Sequence, residues 1–152
     1  MTTEQNQSLA GHVVVVTGAA QGIGAGIVEA VLEGGGSAVL LDLDQVKAEE
    51  TAAKLDPGGE RTLALAADVT NEAAVEAASA SILKRFGKVD GWVNNAGIVQ
   101  MMAAEKYSAE EWDREFAVNV RGVMTGARAA FRLMNQRGGS IVNIASNAGK
   151  VG

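Results

Sequence analysis

The chain has 152 residues, 47% hydrophobic and 20% charged, with a formal net charge of −5; it suits one domain with a sizeable core, and its sign argues against a nucleic-acid partner bound through phosphates. It contains no cysteine, which excludes disulfides, thiolate metal ligands and a thiol nucleophile. Met1 to Ser8 lacks the basic and apolar regions of a signal peptide, and no apolar run approaches the roughly 20 residues that span a bilayer, so a soluble cytoplasmic protein without membrane attachment is expected.

Val13-Val14-Val15-Val16 is short, β-branched and ends in Thr17-Gly18, the pattern of a buried parallel strand. Ile23, Ile27 and Val31 then recur every four residues, predicting a helix that faces a sheet and ends at Gly34-Gly35-Gly36. Ala38 to Leu43 reads as a second buried strand, and Gln45 to Lys54 as a polar helix before the turn Asp56-Pro57-Gly58-Gly59. Thr62 to Ala66 is the third strand. Thr70 or Asn71 caps the next helix, whose inner face carries Val75, Ala78, Ile82 and Phe86.

Val89 to Asn94 is the fourth strand. Ser108-Ala109-Glu110-Glu111 fits a capping box and launches one long helix, expected to face inward through Trp112, Phe116, Val120, Met124, Ala127, Phe131 and Met134. Gly138-Gly139 ends it, and Ser140 to Ala145 is the fifth strand. Strands alternating with helices predict an α/β fold, a doubly wound, mostly parallel (Rossmann) sheet with right-handed crossovers. Residues 1–10 read as a polar extension and 11–152 as the domain. A ligand belongs beyond the strand C-termini, at the switch point between the first strand and the fourth.

The turn after the first strand reads Thr17-Gly18-Ala19-Ala20-Gln21-Gly22-Ile23-Gly24. Gly18 permits a tight turn, Gly22 lets backbone approach a pyrophosphate, and Gly24 lets the helix pack on the strand with its first N–H groups toward an anion. Asp42 ends the second strand, where a carboxylate accepts hydrogen bonds from ribose hydroxyls and repels a 2′-phosphate. His12 has no second histidine or cysteine to share a metal, so no metal site is expected.

The G-x-x-x-G-x-G spacing, Asp68-Val69 after the third strand, Asn94-Asn95-Ala96-Gly97 after the fourth, Asn119 in the long helix and Ile144-Ala145-Ser146 after the fifth occur in one order. In these motifs the chain, from His12 onward, resembles the short-chain dehydrogenase/reductase family. The resemblance implies hydride transfer between a nicotinamide cofactor and a secondary alcohol or the matching ketone. It places Gln21 where relatives that prefer NADP often carry arginine; with Asp42, and with no positive charge at Leu43, this implies NAD. Gly18, Gln21, Gly22, Ile23 and Gly24 would hold the cofactor, Asp68 and Val69 would flank its adenine, and Asn95, Ala96 and Gly97 would line it. Asn94 is read as a structural neighbour. Ser146 matches the serine that hydrogen-bonds the substrate oxygen, and Asn119 the asparagine that holds a water.

The family's Tyr-x-x-x-Lys motif follows that serine by about a dozen residues. Here six residues follow Ser146 and none is tyrosine; the sole tyrosine, Tyr107, has Glu111 four places later, and Lys150 lies too close to Ser146 to substitute. The expectation is therefore a family Rossmann domain that stops after the fifth strand and is inactive alone, with a homo-oligomer in the full-length form. A non-catalytic module that binds NAD or dimerises is the second reading. An S-adenosylmethionine methyltransferase shares the glycine-rich turn and the acid, but not the Asn-Asn-Ala-Gly run.

Overall fold

The computed structural model describes residues 7–147; Lys150 and most of the polar extension lie outside them. The elements are β1 (Val13–Thr17), α1 (Gly22–Glu33), β2 (Ser37–Asp42), α2 (Gln45–Leu55), β3 (Thr62–Ala66), α3 (Glu72–Phe86) and β4 (Gly91–Asn94). A 3-10 turn (Ala104–Lys106), α4 (Ala109–Phe116), a π-helical turn (Ala117–Arg121), α5 (Gly122–Met134) and β5 (Ser140–Asn143) follow.

Among the described residues the sheet has five parallel strands in the order β3-β2-β1-β4-β5, the Rossmann arrangement expected. Sheet growth reverses between β3 and β4, so β1 and β4 flank the switch point. The unbroken valine run of β1 follows from burial on both faces. Val13 and Val15 join Val39, Leu41, Ile82 and Trp92 in one core, whereas Val14 and Val16 join Val28, Leu40 and Val93 in another. Each such side chain taken fully out of water contributes about 1.5–3 kcal/mol.

Helix ends follow the local chemistry. Asn71, rather than Thr70, caps α3 by accepting from the N–H of Ala74, and Gly87 closes that helix at φ 74°. Ser108 and Glu111 form the expected capping box. Across the outer surface, Arg128 and Arg132 of α5 pair with Glu72 of α3, and Arg132 also pairs with Glu76.

Two helix faces differ from the sequence expectation. The long helix is interrupted by the π turn, and its large apolar stripe does not face the sheet: Trp112, Phe116, Val120, Met124 and Phe131 are 48–67% exposed. The buried face is Gly122, Thr125, Gly126, Ala129, Ala130 and Met134. The reason is proximity. A Cβ at Gly126 would collide with Asn94 Oδ1 and come within 2.8 Å of Trp92 Nε1, so the helix lies too close to β4 for larger side chains. Ile23, expected against the sheet, is likewise exposed; Val28, Val31 and Leu32 carry the buried face of α1 with Gly24. The strands are also shorter than expected, β4 starting at Gly91 and β5 ending at Asn143.

Candidate functional site

The turn from β1 to α1 is held by side chains arriving from two other strands. Gly18 takes φ 63°, and a Cβ there would lie 2.8 Å from Ala96 Cα; both the left-handed conformation and the close approach require glycine. A Cβ at Gly24 would fall on the carbonyl oxygen of Gly18, and 2.7 Å from Asn95 Nδ2. Gly22 differs: φ is 56°, yet an added Cβ meets nothing within 4 Å. Its open side faces no protein.

Asn95 Nδ2 donates to the carbonyls of Thr17 (3.0 Å) and Gly18 (3.1 Å). In return, Thr17 Oγ1 accepts from the N–H groups of Asn95 and Ala96, each at 3.0 Å. Thr17 is 1% exposed, so these bonds are shielded from water and lock the β4 loop to the glycine turn. Asn94, also buried, donates to Asn143 Oδ1 (2.9 Å) and accepts from Trp92 Nε1 (2.9 Å). It ties strands together, the structural part the sequence suggested.

Asp42 closes the turn from the β2 side. Its Oδ2 accepts from the N–H of Ala20 (2.9 Å) and its Oδ1 from that of Asp44 (3.0 Å). Each carboxylate oxygen keeps acceptor capacity after one such bond. Gln21 is the N-cap residue of α1, but its side chain makes no capping hydrogen bond. The first N–H groups of α1 have no carbonyl of their own helix to reach, and the helix dipole adds positive potential there.

A cleft of about 530 Å³ opens over this turn. Among the expected residues it is lined by Gly18, Gln21, Ile23, Gly24, Asp42 and Asp68, and by Val69, Asn95, Ala96 and Gly97. Gly22 does not line it. Asp68 Oδ1 accepts from both the N–H and the hydroxyl of Thr70, which curls the segment after β3 across the cleft. Val69 is backed by α5, where a Cβ at Gly122 would lie 2.8 Å from Val69 Cγ2. The exposure of Ile23, puzzling for a core residue, is explained by its place on the cleft wall.

Of the lining residues not expected from the sequence, Leu41, Leu43, Ala67, Thr70 and Ile98 neighbour expected ones, whereas Arg114, Ala117 and Val118 stand apart. These last three come from α4 and the π turn, which follow β4 by some twenty residues, and no local motif marks them. Asn119 and Ser146 do not line the cleft. Asn119 sits in the π turn, where Oδ1 accepts from the N–H of Ile98 (2.9 Å) and Nδ2 donates to its carbonyl (2.7 Å). The amide pins the loop that follows Gly97. Ser146 is exposed, three residues beyond β5, at the same sheet edge as Asn95, because Asn143 pairs in register with Asn94.

A second groove of about 570 Å³ lies over Met102, Tyr107, Trp112, Glu115 and Phe116. The Trp112 and Phe116 rings stack with centroids 4.6 Å apart. The hydrogen bond to Glu115, desolvation, and the negative charges of Glu115 and Glu111 push the Tyr107 phenol up to about 12. Glu115 also accepts from the N–H of Gln100. Among the described residues no group of three histidines or acids is placed to hold a metal ion, and no helix is long and apolar enough to cross a membrane.

Comparison with known proteins places this geometry. The model of a family described as short chain dehydrogenase matches residues 12–152. The chain is 42% identical over 145 residues to 2-(S)-hydroxypropyl-CoM dehydrogenase 3 of Xanthobacter autotrophicus, an alignment covering 95% of this chain and 57% of that protein. It is 36% identical over 146 residues to an NAD-dependent glycerol dehydrogenase of Listeria innocua, covering 95% and 56%. A crystal structure of a short chain dehydrogenase from Mycobacterium smegmatis superposes with a TM-score of 0.88 at 37% identity, covering 94% of this chain and 61% of that one. The chain thus spans somewhat more than half the length of the curated relatives it matches.

Proposed function

The chain belongs to the short chain dehydrogenase family, and from that premise we propose that it is the dinucleotide-binding part of an NAD-dependent oxidoreductase acting on a secondary alcohol or the matching ketone. One observation carries the reading. The Thr17–Asn95 lock holds a glycine turn open over a cleft whose rim carries a strand-end carboxylate, Asp42. That combination pairs backbone donors for a pyrophosphate with an acceptor for ribose hydroxyls.

Nicotinamide dinucleotide, when bound, supplies the acceptor or donor of hydride. The first N–H groups of α1 would hold the pyrophosphate, and Asp42 would accept from the adenosine ribose and repel a 2′-phosphate. Asp68 and Val69 would flank the adenine, and Asn95, Ala96 and Gly97 would line the cofactor beside β4. Ser146 hydrogen-bonds the substrate oxygen, while Asn119 fixes the loop at Ile98 and holds a water on its remaining amide valence. The names of the relatives, which act on hydroxypropyl-CoM and glycerol, support an alcohol substrate. The exposed stripe of Trp112, Phe116, Val120, Met124 and Phe131 supports a homo-oligomer, and a composition free of cysteine is compatible with a reducing cytoplasm.

A second reading has its own observation. The single tyrosine of these 152 residues is Tyr107, and its phenol is pushed up to about 12, the wrong direction for a general acid or base near neutrality. These residues by themselves are accordingly proposed to bind NAD without turning over substrate.

Titration with NADH, followed by nicotinamide fluorescence with NADPH in parallel, tests the proposal. Saturable NADH binding with weaker NADPH binding is expected. Asp42→Ala should weaken NADH by about tenfold, the effect of losing a charge-assisted hydrogen bond. NADPH binding as tightly as NADH would overturn the cofactor assignment. In a protein that turns over, Ser146→Ala should impair hydride transfer far more than Tyr107→Phe; equal losses would undo both roles.

A further inference from the structure

Lys47 breaks a local rule. It occupies the third position of α2, after the N-cap Asp44 that accepts from its backbone N–H. An acid there would complete a capping box and suit the helix dipole, as Glu111 does in α4. A cation at this position costs α2 stability. Among the described residues Lys47 forms no ion pair; its ammonium donates instead to Gln21 Oε1, from 26 positions away in sequence.

That bond orients an amide in the cleft wall. An ammonium has donors only, so Gln21 must turn its carbonyl oxygen to Lys47, which leaves Nε2 as the end able to donate into the cleft. Gln21 lines the cleft together with Asp42, and Asp42 bonds the N–H of Ala20, the neighbour of Gln21. Thr51, from the same helix as Lys47, donates to the carbonyl of Ala20 (2.7 Å). Helix α2 thus grips the glycine turn at two adjacent residues, once through a hydroxyl and once through a charge.

Resting on the dinucleotide reading above, we propose that Lys47 is a positioning and specificity-determining residue of that site. It holds the Gln21 amide as a donor toward ligand oxygens, and it sets a positive charge on the side of the cleft where Asp42 repels a 2′-phosphate. Asp42 dominates, so NAD is still preferred. Lys47 narrows the margin, giving this protein measurable NADP binding that the residues of the turn and strand end alone do not suggest.

The test compares dissociation constants for NADH and NADPH in wild type, Lys47→Ala, Lys47→Glu and Lys47→Arg. Glutamate is the residue α2 itself favours at this position, so any loss of binding in Lys47→Glu is not a loss of the helix. The NADPH-to-NADH ratio of dissociation constants should rise about tenfold in Lys47→Glu, since a charge reversal near a phosphate acts in partly screened water. It should rise less in Lys47→Ala and stay near wild type in Lys47→Arg. A double-mutant cycle of Lys47→Ala with Gln21→Ala should be non-additive for NADH. An unchanged ratio in Lys47→Glu with NADH still saturable would overturn the specificity role, and additivity would overturn the action through Gln21. Failure of the wild-type protein to bind either nucleotide would overturn the dinucleotide reading and this inference together.

Discussion

Thr17 shows what a single hydroxyl can organise. It accepts two N–H bonds from Asn95 and Ala96 while buried, and with the two bonds from the Asn95 amide these join the β4 loop to the glycine turn. Thr17→Val keeps the shape but strands both donors; unfolding should become easier by about 1–3 kcal/mol per group left unpaired, and denaturant titration would read it. An unchanged midpoint would mean that water replaces the hydroxyl. Tyr107 offers a cleaner measurement, because it is the sole tyrosine. Its phenol is pushed up to about 12, first by Glu115. The folded value exceeds the unfolded reference of about 10, so this interaction is intact below pH 10, and the stability it confers is lost as pH rises toward 12. Phenolate absorbance should appear near pH 12, and nearer the reference value in Glu115→Gln. Ionisation at the same pH in both proteins would remove Glu115 as the cause.

At the scale of elements, the strand ends are fastened by polar groups and the strand centres by apolar ones. Asp90, just before β4, accepts from the N–H of Val13 (2.8 Å) at the start of β1 and pairs with Lys88 at 2.9 Å. Burial alone would raise this carboxyl; the Lys88 ammonium and the Val13 N–H outweigh it, and the group is held below its ordinary value. A lowered folded value means the contribution is present above the unfolded pKa of about 3.9 and lost as pH falls through the folded one. Asp90→Asn should therefore destabilise by about 1 kcal/mol at neutral pH, with the difference shrinking in acid. Equal differences at neutral and strongly acid pH would count against this role. The π turn between α4 and α5 belongs to the same scale: it carries Asn119, and its Ala117 and Val118 line the cleft.

Across the whole molecule, one sheet edge collects the chemistry and one helix face collects the exposed apolar area. The stripe from Trp112 to Phe131 faces neither core, and large contiguous apolar surfaces mark association sites. Phe116→Glu with Phe131→Glu should reduce the self-association proposed above, as seen by sedimentation velocity; an unchanged species distribution would sink the assignment. The fold was legible in the sequence because strands buried on both faces write themselves as unbroken runs, as Val13 to Val16 do, and because Gly18 marks the end of the first strand and Gly34 the end of the helix after it. So were most cleft residues, since the glycine turn, Asp42 and the Asn95 loop fall at strand ends whose position the topology dictates. Which side of α5 met the sheet was not legible. Periodicity reports where large apolar residues recur, and here the close approach of α5 to β4 selects glycine, alanine and threonine along most of the buried face, with Met134 at its end. Nor could spacing bring Lys47 to Gln21, Arg114 to the cleft, or Asn119 to the backbone of Ile98. Those contacts join residues distant in the chain, and only the order of the strands and the closeness of the helices decide them.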